Sequence, residues 1–154
     1  MAVTGEARVW ISAAPGRVWS MVSDVTRIGE FSPEVVSCEW IDGATGPAVG
    51  ARFRGQNKRG RTKWSTTCEV TACVTAKEFA FVTHPDKPAT AWRYQFSPAA
   101  GGTEVTETFE LLQPLGKASR LLTRVTTGVK DREADMVESM QQTLERLRAV
   151  AEAR

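Results

Sequence analysis

The sequence predicts an α+β domain: seven strands in an antiparallel sheet, two short helical pieces between the first and second strands, and one long C-terminal helix. Three observations predict it. A single strand-like alternation near the N-terminus is followed by a proline-initiated helical stretch. A long middle region then alternates apolar and polar residues between short turn segments, with no helix-length crossover, so its strands pair antiparallel. The last quarter returns to steps of three and four.

Taken in order, Ala7 to Ile11 sets Arg8 and Trp10 against Val9 and Ile11, as a half-buried strand does. Pro15 suits a first helical position, and Val18, Trp19 and Val22 give the piece that follows an apolar face. Asp24 can cap a second piece over Val25 to Phe31, which the Ser32-Pro33 step ends. Six strands follow: Val35 to Ile41, Ala51 to Asn57, Thr62 to Val74, Glu78 to His84, Ala91 to Phe96 and Thr103 to Leu112. Gly, Pro, Asp and Lys-rich turns separate them. Lys117 to Val125 reads as a further helical piece, with Gly128 as a joint. From near Lys130 to Glu152, Met136, Met140, Leu144, Leu147 and Ala151 form one stripe, a helix of about six turns.

Composition bounds the rest. At 154 residues, 42% of them apolar and 25% charged, the chain makes one domain, residues 1–154, and neither a disordered tail nor a membrane protein. Its 20 basic against 18 acidic residues leave +2, far from the excess of a nucleic-acid binder. The basic run from Arg52 to Lys63 therefore reads as a solvated hairpin tip. Cys38, Cys68 and Cys73 lack metal spacing or a redox pair, and His84 alone makes no metal centre, so no metal and no cofactor are expected. His84-Pro85-Asp86 has no Ser or Cys motif to complete a triad. With neither a leader nor an apolar span in view, the expected location is cytoplasmic, with no integral membrane association, as a monomer or homodimer. One oddity stands out: five tryptophans beside a single tyrosine, most of the aromatics on strand-like segments.

The order of elements, together with Ile11-Ser-Ala-Ala-Pro-Gly-Arg-Val-Trp19, Ser23-Asp24, Phe31-Ser-Pro33, Gly50-Ala-Arg-Phe-Arg-Gly55, Trp92-Arg-Tyr94, Gly102-Thr-Glu-Val-Thr-Glu107 and the Met140 to Leu147 stretch, resembles the START and polyketide-cyclase/dehydrase (Bet v 1-like) superfamily over nearly the whole chain. Phe31 stands where Trp is commoner in that family. The resemblance implies a helix-grip fold, in which a curved sheet closes around the terminal helix and leaves a cavity between them. Functionally the superfamily is broad, holding lipid carriers, hormone receptors, aromatase/cyclases, oxygenase domains and chaperone cofactors.

Strand alternation then nominates the lining. Phe53, Gly55 and Asn57 share one face, as do Trp64, Thr66, Cys68 and Val70. So do Trp92, Tyr94 and Phe96, and Val105, Glu107, Phe109 and Leu111. The expected ligand-binding set is Phe53, Asn57, Trp64, Thr66, Phe81 and Trp92, with Tyr94, Phe96, Glu107 and Phe109 from the later strands and Leu122, Met136 and Met140 from the helical end. An inward Glu107 is desolvated, which raises its pKa, and beside Tyr94 it offers an acid or base. Against this stands a structural role for Glu107, paired with an Arg or a backbone donor. The expected function is binding of a small hydrophobic ligand, polyketide-like, aromatic or lipid-like. The alternatives are a polyketide cyclase or dehydratase using Glu107 or Tyr94, and a chaperone-cofactor-like interaction module. Leu121, Leu122 and Val125 beside Lys117, Arg120 and Arg124 read either as a lid or as a packed connector.

Overall fold

The computed structural model describes residues 3–113 and 132–153. Strand β1 (Val3–Ile11) leads into helix α1 (Pro15–Ser23) and a 3₁₀ helix (Val25–Glu30). The strands β2 (Val35–Ile41), β3 (Arg52–Arg59), β4 (Thr62–Val74), β5 (Glu78–Thr83), β6 (Thr90–Ala99) and β7 (Gly102–Leu111) follow, and helix α2 (Arg132–Glu152) ends the chain. The sheet order is β1-β7-β6-β5-β4-β3-β2, antiparallel throughout, with α2 against the inner face of this curved, open sheet. This is the helix-grip fold.

Local chemistry explains the elements. Pro15 opens α1, and the Asp24 carboxylate accepts from the Thr26 amide at 3.1 Å and the Thr26 hydroxyl at 2.6 Å, capping the 3₁₀ turn. Bulges at Val35/Ser37 in β2 and Val70/Ala72 in β4 add the bend and twist that curve a sheet. The α2 stripe is buried throughout, with Leu144 and Leu147 fully so.

Three strand bounds differ from the sequence reading by more than one residue. β1 begins at Val3, because Gly5 lets the Phe109 ring lie over the backbone: a Cβ there would stand 2.3 Å from the ring. β3 runs on through Arg59 to a tight turn at Gly60-Arg61. β6 continues through Pro98 to Ala99, then turns over Ala100 and Gly101, both at positive φ, as in the tightest hairpins. Proline suggested an end at Phe96, yet Pro98 lies close to the turn, where a missing donor costs little. The expected piece at Lys117 to Val125, its Gly128 joint and Leu122 lie outside the described residues.

One end of the molecule is solid. There α1 plugs the sheet: Thr103 donates its hydroxyl to the Ala13 carbonyl at 2.7 Å, the Trp19 indole donates to the Glu78 carbonyl at 2.9 Å, and Glu152 accepts from the Ser12 amide at 2.8 Å. Ile11, Val18, Val22, Phe79, Phe96, Val105 and Leu147 fill the space between. Among the described residues the other end is hollow.

Candidate functional site: a cavity under the C-terminal helix

The hollow end holds a partly open cavity of about 380 Å³, within the range of small-molecule sites. Its walls come from the segment leading into β2, from β3, the first half of β4, the β5–β6 connection, the first half of β6 and the first three turns of α2. Phe53, Phe81, Trp64 and Trp92 supply aromatic surface, and Met136 and Met140 close the cavity from the helix. Phe53 meets Phe81 edge to face at 5.1 Å and Trp40 at 5.7 Å. Such pairs prefer this geometry, and they brace the wall from behind.

Polar groups are interspersed with the aromatic ones, and two of them, Asn57 and Glu107, differ in how they are matched. The Asn57 amide nitrogen donates to Thr66 Oγ1 at 3.1 Å, the Trp64 carbonyl at 3.3 Å and the Gly55 carbonyl at 3.4 Å. Two of those partners are carbonyls and can only accept, so the amide cannot be turned round, and Oδ1 remains as the acceptor. At the deep end Glu107 is 3% exposed, and its Oε1 has no partner among the described residues. Burial pushes its pKa up to about 8, partly offset by hydrogen bonding from Tyr94, its cross-strand neighbour. Burial and the same carboxyl push the Tyr94 hydroxyl well above its ordinary value. Glu107 is therefore largely a neutral acid at pH 7.

Most of the nominated residues meet here: Phe53, Asn57, Trp64, Thr66, Phe81, Trp92, Tyr94, Glu107, Met136 and Met140 all line the cavity. Phe96 and Phe109 do not. Phe96 lies in the packed core near the end of β6, and Phe109 is held over Gly5 and against Trp92 at 5.7 Å. Alternation assigns a face; it does not say how far along the strand the cavity extends. The remaining tryptophans are structural: Trp40 and Trp19 pack on the core, while exposed Trp10 covers Gly102 and donates to the Ala99 carbonyl at 2.7 Å.

Glu34, Cys38, Thr83 and Ser139 also line the cavity and were not foreseen. For Cys38 the reason is the β2 bulge, which breaks the alternation before it and leaves Val36 outside. Burial raises the Cys38 thiol to about 11 and Cys68 further, so neither is an activated nucleophile. His84 stands exposed on the rim in the left-handed region (φ 53°) rather than in a turn remote from the site.

At the mouth, Arg59 joins three elements: its guanidinium pairs with Asp135 on α2 through both oxygens and with Glu34, ahead of β2, at 3.4 Å. Arg52 pairs with Glu69 at 2.9 Å and Asp86 at 3.6 Å. The basic run is thus partly consumed in ion pairs, with Lys58 and Arg61 at its solvated tip.

Residues 2–152 match the family model described as polyketide cyclase / dehydrase and lipid transport. The chain belongs to this family. The family supports a hydrophobic-ligand-binding fold, and solved structures share that fold. A polyketide-cyclase-like protein from Corynebacterium glutamicum, Cgl2372, is 28% identical over 97% of this chain and 91% of its own (TM-score 0.65). Protein CV1439 from Chromobacterium violaceum shares the fold at 14% identity, with 99% of each chain covered (TM-score 0.72). So does Ara h 8.0201, at 11% identity and 98% of each chain (TM-score 0.68). No curated protein sequence matches it.

Proposed function

We propose that this family member binds a small, largely apolar, ring-bearing ligand in the cavity between the inner face of the sheet and α2. The observation that carries the reading is the partly open cavity of about 380 Å³, with aromatic side chains in its wall, that the described residues leave beside the buried core. Removal of the ligand's apolar surface from water, worth roughly 25 cal/mol per Å², supplies affinity. The Asn57 oxygen and the Glu107–Tyr94 pair set orientation. The ligand is a polyketide-like, aromatic or lipid-like molecule, held by a cytoplasmic monomer or homodimer.

Titration with 1-aminoanthracene, a neutral apolar fluorophore, tests this. Saturable one-site emission, weakened at least about tenfold in Trp64→Ala and Trp92→Ala, is the expected result. Emission that never saturates, or that ignores both substitutions, contradicts it.

A second reading rests on Glu107 itself. A carboxyl held neutral in an apolar site, beside a phenol, can protonate a carbonyl oxygen and, once ionised, take a proton from the adjacent carbon, the two steps of an enolisation; in a dehydration the ionised carboxyl takes that proton and returns it to the β-hydroxyl, whose C–O bond breaks as water leaves. Cyclase or dehydratase activity on a poly-β-ketone, following the ionisation of Glu107 and abolished in Glu107→Gln, would establish it. Full activity in that variant removes Glu107 from the mechanism.

A further inference from the structure

The polar groups of the cavity constrain the charge of its ligand, an inference that rests on the cavity being a ligand site. An apolar ligand with a carboxylate head needs a cation or converging N–H donors once it leaves water, because burying an unpaired ion is costly. Among the described lining residues there is no Lys or Arg. Arg59, near the mouth, is already committed to Asp135 and Glu34. The amide nitrogen of Asn57 is spent on three acceptors, so this residue shows an oxygen to the ligand. Thr143 gives its hydroxyl proton to the Ser139 carbonyl at 2.8 Å. His84 lies exposed on the rim, away from the deep end.

The deep end is built for a different group. Glu107 and Tyr94 are buried side by side, and Glu107 Oε1 is a buried polar atom without a partner among the described residues. Such an atom is costly to leave unmatched. A ligand carbonyl oxygen placed at Oε1 would accept the proton of the neutral Glu107 acid and cancel that cost, while the Tyr94 hydroxyl, donating to the same carboxyl, holds it in place. A ligand carboxylate there would instead face Glu107, with the Glu34 carboxylate also on the lining.

We infer that the cavity selects a neutral ligand that enters carbonyl end first, with Glu107 and Tyr94 as the specificity-determining pair, and that it rejects the same skeleton ending in a carboxylate. The neutral state of Glu107 near pH 7 is consistent with the donor role. Ring or chain outside the carbonyl rests on Phe53, Phe81, Trp64 and Trp92.

Three nearly isosteric probes test it at pH 7: 2-acetylanthracene, 2-ethylanthracene and anthracene-2-carboxylate, titrated into the full chain by fluorescence. The ketone is expected to bind about tenfold tighter than the ethyl compound, the margin of one well-made buried hydrogen bond, and at least about tenfold tighter than the carboxylate. Glu107→Leu is expected to erase the ketone's margin over the ethyl compound, while Glu107→Gln, still neutral and hydrogen-bonding, keeps most of it. Should Glu107→Leu fail to fold, Tyr94→Phe, which removes the neighbouring hydroxyl and keeps the ring, is expected to narrow the margin. The inference is overturned if the carboxylate binds as tightly as the ketone, if ketone and ethyl compound bind alike, if the margin survives Glu107→Leu or, where that variant does not fold, is unchanged in Tyr94→Phe, or if none of the three binds where 1-aminoanthracene does. If 1-aminoanthracene does not bind either, the ligand-site reading falls and this inference falls with it.

Discussion

The two ends of the molecule are made from the same strands and the same helix, yet one is solid and the other hollow. At the solid end α1 lies across the sheet, and Phe79, Phe96, Val105, Leu144 and Leu147 are buried in one core cluster. At the hollow end no such plug is present among the described residues, and Trp64 and Trp92 stay half-buried around open volume. Glu107 and Tyr94 sit where the two meet, since Tyr94 pairs with Phe79 on one side and Glu107 on the other. The contrast separates two jobs. Stability resides in the packed half, and the apolar surface that the hollow half leaves unburied is available to a guest.

If that division holds, the largest effect on stability comes from the solid end. Phe79, fully buried, is the probe: Phe79→Ala is expected to cost about 3–5 kcal/mol in urea unfolding, through lost transfer energy and the cavity it opens. Variants that still fold should retain most of their affinity for 1-aminoanthracene, and a selective loss of binding would break the comparison.

Next comes the boundary. The Glu107 carboxyl is held near 8 in the folded protein against 4.5 for a free one, so between those values the unfolded chain has released a proton that the folded chain keeps. Stability therefore falls as pH rises from about 4.5 to about 8 and levels above it. Ala7 of β1 and Tyr94 of β6 flank the group within the sheet, and Tyr94 ionises above this window, so the decline belongs to Glu107. Glu107→Gln should gain about 2–4 kcal/mol on wild type between about pH 4.5 and about pH 9, discounted for relaxation around the buried group. Parallel stability profiles for the two proteins would place Glu107 in water.

The hollow end should give a smaller stability effect with a larger binding effect. The Trp92 ring is only half-buried, so Trp92→Ala is expected to cost about 1–2 kcal/mol while weakening the fluorophore at least about tenfold. Smallest is Arg59→Met at the mouth. Its ion pairs with Asp135 and Glu34 are partly solvated, so a loss of about 0.5–1 kcal/mol, shrinking with added salt, is expected. A salt-independent loss above about 2 kcal/mol, beyond what a partly solvated pair supplies, would make this contact part of the core instead.

Much of this contrast was legible in the residues. Period-two alternation put Phe53, Trp64, Trp92, Tyr94 and Glu107 on the inner face, and the Met136 to Ala151 stripe marked the helix above them. What alternation cannot carry is depth along a strand, which is why Phe96 and Phe109 look identical to Tyr94 in the sequence yet pack into solid core. Bulges were equally silent: the one after Val35 brings Cys38 inward and leaves Val36 outside, and no residue there announces it. The role of Gly5 became clear only once Phe109 was seen above it. His84 was read from its neighbours in sequence, whereas its place on the rim depends on how β5 meets β6.

The central claim is that the hollow end is a ligand site. Native mass spectrometry tests it most directly, on protein purified without denaturant and again after addition of excess 1-aminoanthracene. The account predicts a single 1:1 adduct, either carried through purification or formed with the dye, lost on acid unfolding and diminished in Trp92→Ala. Unliganded protein alone in both spectra, or dye adducts of mixed stoichiometry that Trp92→Ala leaves unchanged, would contradict it.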